Sequence, residues 1–301
     1  MPELFQSYHS RILETPFASL SIGGARVEYL ALAEPEHAAL PPVLILPGVF
    51  QDFRSLLFHA RRLLKRRPVI LIALPGQGGN QQLAPDMNLT ELADLLAAFL
   101  DQVGVKTVLP QAFSYGAVIV YVFCTSYPRL IEKAILGGIF HEIDQPFHDF
   151  LIEARHLLKK NSMTDFATHL TQNMINQQAL PQTGITEKFK RTFHQYLQHL
   201  PEIEKKRYMQ NISRLIEIDT LPGKPASPAL FYAGRQDNFA PPASVRQSAQ
   251  MFQNSHFALL EGADHMMMAT KKETLGRLFD LYISQQEMIE IEGVTIEAMQ
   301  K

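Results

Sequence analysis

Ala112-Phe113-Ser114-Tyr115-Gly116 is the stretch of this chain best suited to do chemistry. A β-prone segment, Thr107-Val108-Leu109, runs through Gln111-Ala112-Phe113 into Ser114, and an apolar stretch with the look of a buried helix follows. A serine at such a junction sits on a sharp turn that pushes its hydroxyl out at the carboxyl edge of a sheet. Small neighbours are needed there because the backbones approach closely. The motif is G-x-S-x-G with Ala112 in place of the first glycine, a departure of one methyl. An ordinary helix N-cap serine would fit the same position.

A serine hydroxyl is a poor nucleophile at neutral pH and needs an adjacent base. Of the 11 histidines, His265 lies in Glu261-Gly262-Ala263-Asp264-His265, directly after the last predicted core strand, where a loop can return an imidazole to Ser114. Asp237 lies in Gly234-Arg235-Gln236-Asp237-Asn238, after the preceding strand. Its carboxylate would orient the imidazole and stabilise the imidazolium; a turn aspartate capping the next helix is the competing role. Asp264 adjoins His265 and is poorly placed to orient it, and Glu142 and Asp144 are the fallback acids. Acyl transfer also needs donors for a developing oxyanion. The backbone N–H groups expected to supply them are those of Val49, just past Pro47-Gly48, and Tyr115. Phe50, Tyr115, Phe140 and Met266-Met267-Met268 are candidates to line an apolar acyl pocket.

Other chemistries find less support. His194 and His199 lack the further ligands a zinc site requires. The Gly76-Gln77-Gly78-Gly79 turn lacks the lysine–serine ending of a phosphate loop. No metal and no cofactor is called for.

The elements that must position these residues follow a repeating pattern. Leu20-Ser21-Ile22 and Arg26-Val27-Glu28-Tyr29-Leu30 flank Gly23-Gly24, a hairpin signal. Val43-Leu44-Ile45-Leu46, Val69-Ile70-Leu71-Ile72-Ala73 and Ala134-Ile135-Leu136 are continuous apolar runs, as suits strands buried on both faces of a parallel sheet. Helix-period residues separate them, and Asn88 with Glu91 three residues on reads as a capping box. Strands alternating with helices point to a doubly wound α/β sheet. Between 141 and 219 the strand signal disappears. Phe147, Phe150, Leu151, Ala154, Leu157 and Leu158 share one helical face, as do Phe189, Phe193, Tyr196, Leu197 and Leu200, and then Met209, Ile212, Leu215 and Ile216. This is far longer than a crossover needs. The expected organisation is a core of 1–140 and 220–301 with a helical lid inserted at 141–219; helices simply packed on the sheet are the alternative. Ala229-Leu230-Phe231-Tyr232-Ala233 and Phe257-Ala258-Leu259-Leu260 resume the strands, with helices at 245–252 and 275–283. The tail from Ile289 to Ile296 alternates apolar and polar residues, as a small hairpin or an edge strand would.

Bulk properties set limits. A chain of 301 residues, 46% hydrophobic, suits one large domain with room for an insertion. A net charge of -2 with interspersed signs gives no reason to expect nucleic acid or an anionic membrane. The single cysteine, Cys124, sits in an apolar run and reads as buried and inert. The stretch Met1-Pro2-Glu3-Leu4-Phe5-Gln6-Ser7-Tyr8-His9 has no basic start and no long apolar core, and no run approaches the ~18 residues of a spanning helix. The expected location is cytoplasmic.

Together these pieces resemble the α/β-hydrolase superfamily over nearly the whole chain. The chain order Ser114, Asp237, His265 is that of the family. Pro47-Gly48 stands where members usually have His-Gly, and Ala73-Leu74-Pro75-Gly76-Gln77-Gly78 resembles the Asp-x-Pro-Gly-x-Gly turn, with Ala73 replacing the aspartate. Serine at 114 argues against the dehalogenases and epoxide hydrolases, which use aspartate there. The resemblance implies a mostly parallel twisted sheet flanked by helices, with a lid, and a serine hydrolase of carboxylic esters or thioesters. A narrower likeness, in the lid, Leu180-Pro181, the stretch 208–219 and the short gap from acid turn to histidine, is to the bacterial 3-hydroxyacyl acyltransferase branch. That branch makes the lipid moiety of rhamnolipids or moves hydroxyacyl chains toward polyhydroxyalkanoate. It implies medium-chain acyl substrates and, as an alternative, transfer from acyl carrier protein or CoA to an alcohol or thiol. A non-catalytic ligand binder and a cofactor-free lyase or oxygenase are the readings of other classes.

Overall fold

The computed structural model describes residues 4–9, 11–14, 17–80, 82–84, 86–284 and 290–299. Met1 to Glu3, read above for a leader, and Ile289 of the tail lie outside them. The described residues contain nine strands: β1 (Ala18–Ile22), β2 (Ala25–Leu32), β3 (Val43–Leu46), β4 (Val69–Ala73), β5 (Leu109–Phe113), β6 (Ala134–Gly137), β7 (Ala229–Gly234), β8 (Ser255–Leu260) and β9 (Val294–Met299). They form one sheet in the order β1-β2-β4-β3-β5-β6-β7-β8-β9. β3 to β8 run parallel, while β1, β2 and β9 are antiparallel to their neighbours.

Sequence explains the centre of this sheet. Every residue of β3, β4, β5, β6 and β7 is buried, as expected for strands covered on both faces. α1 (Phe53–Leu63), α10 (Met267–Thr270) and α11 (Lys272–Ile283) cover one face. α2 (Leu89–Gln102), α3 (Tyr115–Ser126) and α9 (Pro242–Gln250) cover the other. The first ten residues of α3 are all buried, so it is a central rather than an amphipathic helix. The Asn88 and Glu91 side chains close a reciprocal cap at the start of α2.

Some boundaries differ from the sequence reading. The strand expected at 107–109 begins at Leu109 and continues to Phe113, with Pro110 inside it. Proline gives no N–H to a ladder and is unusual in a central strand, yet β5 pairs on both sides. The tail forms an edge strand, β9, along the full length of β8.

Between β6 and β7 lie α4 (Gln145–Lys159), α5 (Met163–Met174), α6 (Leu180–Thr183), α7 (Glu187–Gln198) and α8 (Glu202–Ile216). The sequence pattern marked the helices around 147–158, 189–200 and 209–216 and passed over α5. Leu151, Phe166, Tyr208 and Ile212 of this excursion join the same apolar cluster as Val118 and Tyr121 of α3. No helix among the described residues is long and apolar enough to cross a membrane.

Candidate active site

The parallel strands deliver their loops to one edge of the sheet, and Ser114 stands between β5 and α3. Its φ of +54° and ψ of -129° are rare for a residue with a side chain. Such a conformation costs on the order of 1–3 kcal/mol and persists only where the surroundings enforce it. Here the Ser114 N–H donates to the Gly137 carbonyl at 2.8 Å, and the Ser114 carbonyl accepts from Ala117 N–H at 2.8 Å. Gly116 is required by contact: a Cβ there would lie 2.7 Å from the Pro47 carbonyl oxygen and 3.0 Å from that of Leu46. Ala112, at the other small position of the motif, is buried without displacing the strand.

The three residues expected to work together meet. His265, on the loop after β8, has Nε2 3.1 Å from Ser114 Oγ and Nδ1 2.9 Å from Asp237 Oδ2. Asp237 lies on the loop after β7, and its Oδ1 accepts the N–H groups of Phe239 and Ala240, each at 2.9 Å. With the proton on Nδ1 donated to Asp237, Nε2 is left as an acceptor for the Ser114 O–H. The histidine and aspartate are buried, and the imidazole packs between the rings of Phe113 and Phe239, at 4.8 and 4.5 Å. The arrangement can take a proton from Ser114, hold it on the imidazole and return it to a leaving group. The fallback acids are elsewhere: Asp144 caps α4 by accepting Phe147 N–H, and Glu142 sits in a bridge with Thr220.

The expected oxyanion donors also flank Ser114. Neither the Val49 N–H nor the Tyr115 N–H donates a hydrogen bond among the described residues. The turn carrying Val49 is fixed by Gly48 N–H donating to Gln51 Oε1 at 2.9 Å and Gln77 Nε2 donating to the Pro47 carbonyl at 2.9 Å.

A cavity of about 550 Å³ opens over Ser114 and His265, with Val49, Phe50, Met174 and Met266 among its walls. Three pocket expectations need correction. Phe140 is not a wall of this cavity. It packs against the Phe147 ring at 5.0 Å and borders a separate crevice of about 130 Å³ under α4. Tyr115 is buried with its hydroxyl accepting from Arg214 Nη1 at 3.3 Å, so only its main chain faces the site. Met267 is buried in the core and is not a wall of the cavity, while Met268 of the same cluster lines it.

Two further features went unmarked in the sequence. Gly138 has φ +57°, and a Cβ there would lie 2.6 Å from the Phe113 ring and 3.0 Å from His265 Cε1, so the loop after β6 makes room for the imidazole. Asn176, between α5 and α6, ties the two loops that carry the acid and the base. Its side-chain N–H donates to the Gln236 carbonyl at 2.9 Å, and its backbone N–H donates to Asp264 Oδ2 at 3.1 Å. Asp264 Oδ1 accepts Met266 N–H at 2.9 Å, and burial pushes its carboxyl above the usual range. The strand–turn pattern around Gly137-Gly138 was the available signal for the first; no local pattern announces the second. Cys124 is buried and its thiol is pushed up to about 12 by burial, so it takes no part.

Residues 41–272 match the family model described as alpha/beta hydrolase fold. No curated protein sequence matches the chain. Among solved structures, an alpha/beta hydrolase enzyme from a Medee basin deep-sea metagenome library superposes with a TM-score of 0.79 at 15% identity, covering 91% of this chain and 100% of that one. The enol-lactonase from Burkholderia xenovorans gives 0.75 at 16% identity, over 89% and 100% of the two chains. A thermophilic esterase from Thermogutta terrifontis gives 0.74 at 15% identity, over 90% and 99%. At such identities the likeness is one of fold.

Proposed function

We propose that this chain, which belongs to the alpha/beta hydrolase fold family, is a serine-dependent hydrolase of carboxylic esters or thioesters with medium-chain acyl groups. The observation that carries the reading is the continuous relay Ser114–His265–Asp237, with links of 3.1 and 2.9 Å. In this mechanism Ser114 Oγ attacks the carbonyl carbon while His265 Nε2 takes the hydroxyl proton. Asp237 holds the imidazole in the tautomer that leaves Nε2 free and offsets the positive charge that forms. The carbonyl oxygen, now carrying negative charge, accepts from the N–H groups of Val49 and Tyr115, which have no other partner among the described residues. The imidazolium protonates the leaving oxygen or sulfur, and the bond to the acyl carbon breaks. Water then enters and loses a proton to His265 as its oxygen bonds the acyl carbon; the bond to Ser114 Oγ breaks, His265 returns the proton to Oγ, and the acid is released.

Met174, Met266 and Met268 give the cavity an adaptable apolar wall suited to an alkyl chain. The helices between β6 and β7 act as its lid, a reading supported by Met174, Phe193 and Tyr208, which line from them the cavity that holds Ser114. That an esterase and an enol-lactonase share the fold supports the choice of ester-type substrates.

The test is labelling by a fluorophosphonate, run beside an acyl-length series of p-nitrophenyl esters and thioesters with and without added alcohol acceptors. Expected are labelling abolished by Ser114→Ala and turnover that peaks at intermediate acyl length. Absence of both labelling and turnover would favour a ligand-binding member of the fold, and turnover that rises only with an acceptor would make the chain a transferase.

A further inference from the structure

The strand order gives the cavity two unlike sides. Val49 follows β3 and Ser114 follows β5, and these strands are neighbours. The turn after β4, with Gly78 and Gly79, flanks that pair on one side, and the loop after β8 flanks it on the other, beyond β6 and β7. The β8 side is walled by Met266, Met268 and Ala269, with Lys272 farther along the chain at the cavity's margin, its ammonium over the Phe58 ring. The β4 side is walled by Asp52, Glu204, Arg207, Tyr196 and Tyr208.

Most of those polar groups are tied to one another around a buried base, with Asp52 and Glu204 half-buried and Tyr196 exposed above it. Arg207 and Tyr208 are buried. The guanidinium is charge-paired with Glu204 and donates to the carbonyls of Gly78 and Asn80, the latter at 3.1 Å. It fixes α8 to the turn and presents no free cation to a ligand. The Tyr196 and Tyr208 hydroxyls lie 2.8 Å apart. One of them donates to the other, which leaves one O–H of the pair to give. Asp52 accepts Ser55 N–H with Oδ1, and no described residue donates to its Oδ2. The Tyr208 ring stands edge-on to Phe50 at 4.6 Å, and Phe50 follows Val49 in the chain. This side therefore begins one ring away from the proposed oxyanion position. It offers one O–H donor and, as acceptors, Asp52 Oδ2 and the second oxygen of Glu204, whose charge is paired with Arg207. An alkyl chain there would strip water from these groups without replacing its hydrogen bonds. An anionic group on this side would face the Asp52 carboxylate, which no described cation pairs. A neutral hydroxyl-bearing group matches both the donor and the acceptors.

We propose that the β4 side of the cavity is a subsite for a neutral, hydroxyl-bearing portion of the substrate, placed opposite the apolar wall of methionines. The subsite rests on the ester-cleaving reading of Ser114 for its consequence in turnover. The hydroxyl can belong to the acyl half or the alcohol half of an ester, and the experiment separates the two. Four esters of matched size are compared by kcat/KM: hydroxylated on the acyl chain, hydroxylated on the alcohol as in a monoglyceride, without hydroxyls, and with a quaternary ammonium alcohol. One hydroxylated arm should exceed the plain ester by about tenfold, and that arm identifies the half. Tyr208→Phe, which keeps the ring against Phe50, should lower the ratio of hydroxylated to plain by about threefold to tenfold, the worth of one hydrogen bond. A change in the amount of folded enzyme would lower both rates alike and leave the ratio. Binding of a non-hydrolysable alkyl glyceryl ether and of its hydroxyl-free counterpart to Ser114→Ala gives a readout independent of turnover. If no ester is cleaved yet the glyceryl ether binds better, the ester reading falls and the subsite stands. Equal rates and equal binding with and without hydroxyls, a ratio unmoved by both Tyr208→Phe and Tyr196→Phe, or a preference for the cationic ester would overturn the subsite.

Discussion

Asp237→Asn isolates the electrostatic and orienting role proposed for Asp237 without disturbing the loop that holds it. The two oxygens of Asp237 are not equivalent. Oδ1 accepts two backbone N–H groups, and Oδ2 accepts the imidazole. An asparagine must keep its carbonyl oxygen on the two backbone donors, because the opposite flip sets an NH₂ against both. The amide NH₂ then faces His265 Nδ1, which has to turn acceptor, and the ring proton moves to Nε2. Nε2 now points a proton at Ser114 and cannot take one. The charge that would offset the imidazolium is gone as well. The same substitution in the convergent relay of serine proteases lowers kcat about ten-thousandfold, or about 5.5 kcal/mol of barrier at 1.36 kcal/mol per tenfold. Fold stability should change little, since the replacement is isosteric and both backbone hydrogen bonds survive. The assay is kcat on the best ester of the acyl-length series, with active enzyme counted by phosphonate titration and folding checked by thermal melt. A loss of less than about tenfold in a normally folded variant would refute the assignment. The Phe113 and Phe239 rings would then suffice to orient the imidazole.

Other perturbations read neighbouring parts of the same structure. Gly138→Ala puts a methyl 2.6 Å from the Phe113 ring and 3.0 Å from His265 Cε1 at φ +57°; crowding of this kind costs about 1–3 kcal/mol, and displacing the imidazole should lower kcat about a hundredfold, measured by urea melts and turnover. Asn176→Ala removes the tie to Gln236 while leaving the backbone bond to Asp264; kcat per titrated Ser114 should fall about tenfold with KM little changed, and an unchanged kcat would make the tie merely structural. His59 is buried, with Nε2 3.3 Å from the Met268 carbonyl, and burial pulls its pKa down from 6.5 to about 4. The fold thus favours the neutral ring, so its contribution is complete above pH 6.5 and is lost as pH falls from 6.5 toward 4. Relative to His59→Phe, the stability of the unsubstituted protein should drop by about 3 kcal/mol between pH 7 and pH 4; parallel urea melts at the two pH values with no such divergence would refute it.

The parts of this fold that could be read from sequence are those where one residue type recurs for one reason. β3 and β4 are unbroken apolar runs because both faces of the sheet are covered. The cap of α2 and the Gly23-Gly24 hairpin are local bargains between adjacent residues, and local patterns reveal them. Ser114 was visible because a strand, a small-residue turn and a buried helix coincide around it. α5 was missed because its buried stripe of Phe166, Ala167, Leu170 and Met174 is interleaved with threonine, histidine, glutamine and asparagine, which dilute the period. Phe140 was misplaced because hydrophobicity says that a ring is buried and not into which cavity it turns. Asn176 and Asp264 are 88 residues apart, and a side chain bonded to a distant main chain leaves no periodic trace.

That last pair bears on how the site opens. Two buried aspartates flank His265, and only one serves it. Asp237 accepts three N–H groups, one of them the imidazole's. Asp264 is held by Met266 N–H and Asn176 N–H, one on each oxygen, and cannot swing to the ring without releasing the segment between α5 and α6. The converse also holds. Lifting that segment strips a buried carboxylate of one of its two donors and frees the Gln236 carbonyl at the same time. Hydrogen bonds to charged groups are worth about 1.5–3 kcal/mol and neutral ones about 0.5–1.5, so opening there costs roughly 2–4.5 kcal/mol before any apolar contact is lost. It would also loosen the two loops whose register sets the Ser114–His265–Asp237 distances. The α5–α6 segment is therefore the wrong part of the helical excursion to move for substrate access. α7 carries Tyr196 with 45% of its surface exposed, and of its residues only Leu197 is fully buried. In the proposed lid, movement of α7 would break its own bonds to Thr164, Thr168 and Gln177 but leave the Asn176 bonds to Gln236 and Asp264 in place, so the proposed relay would stay clamped while a substrate entered.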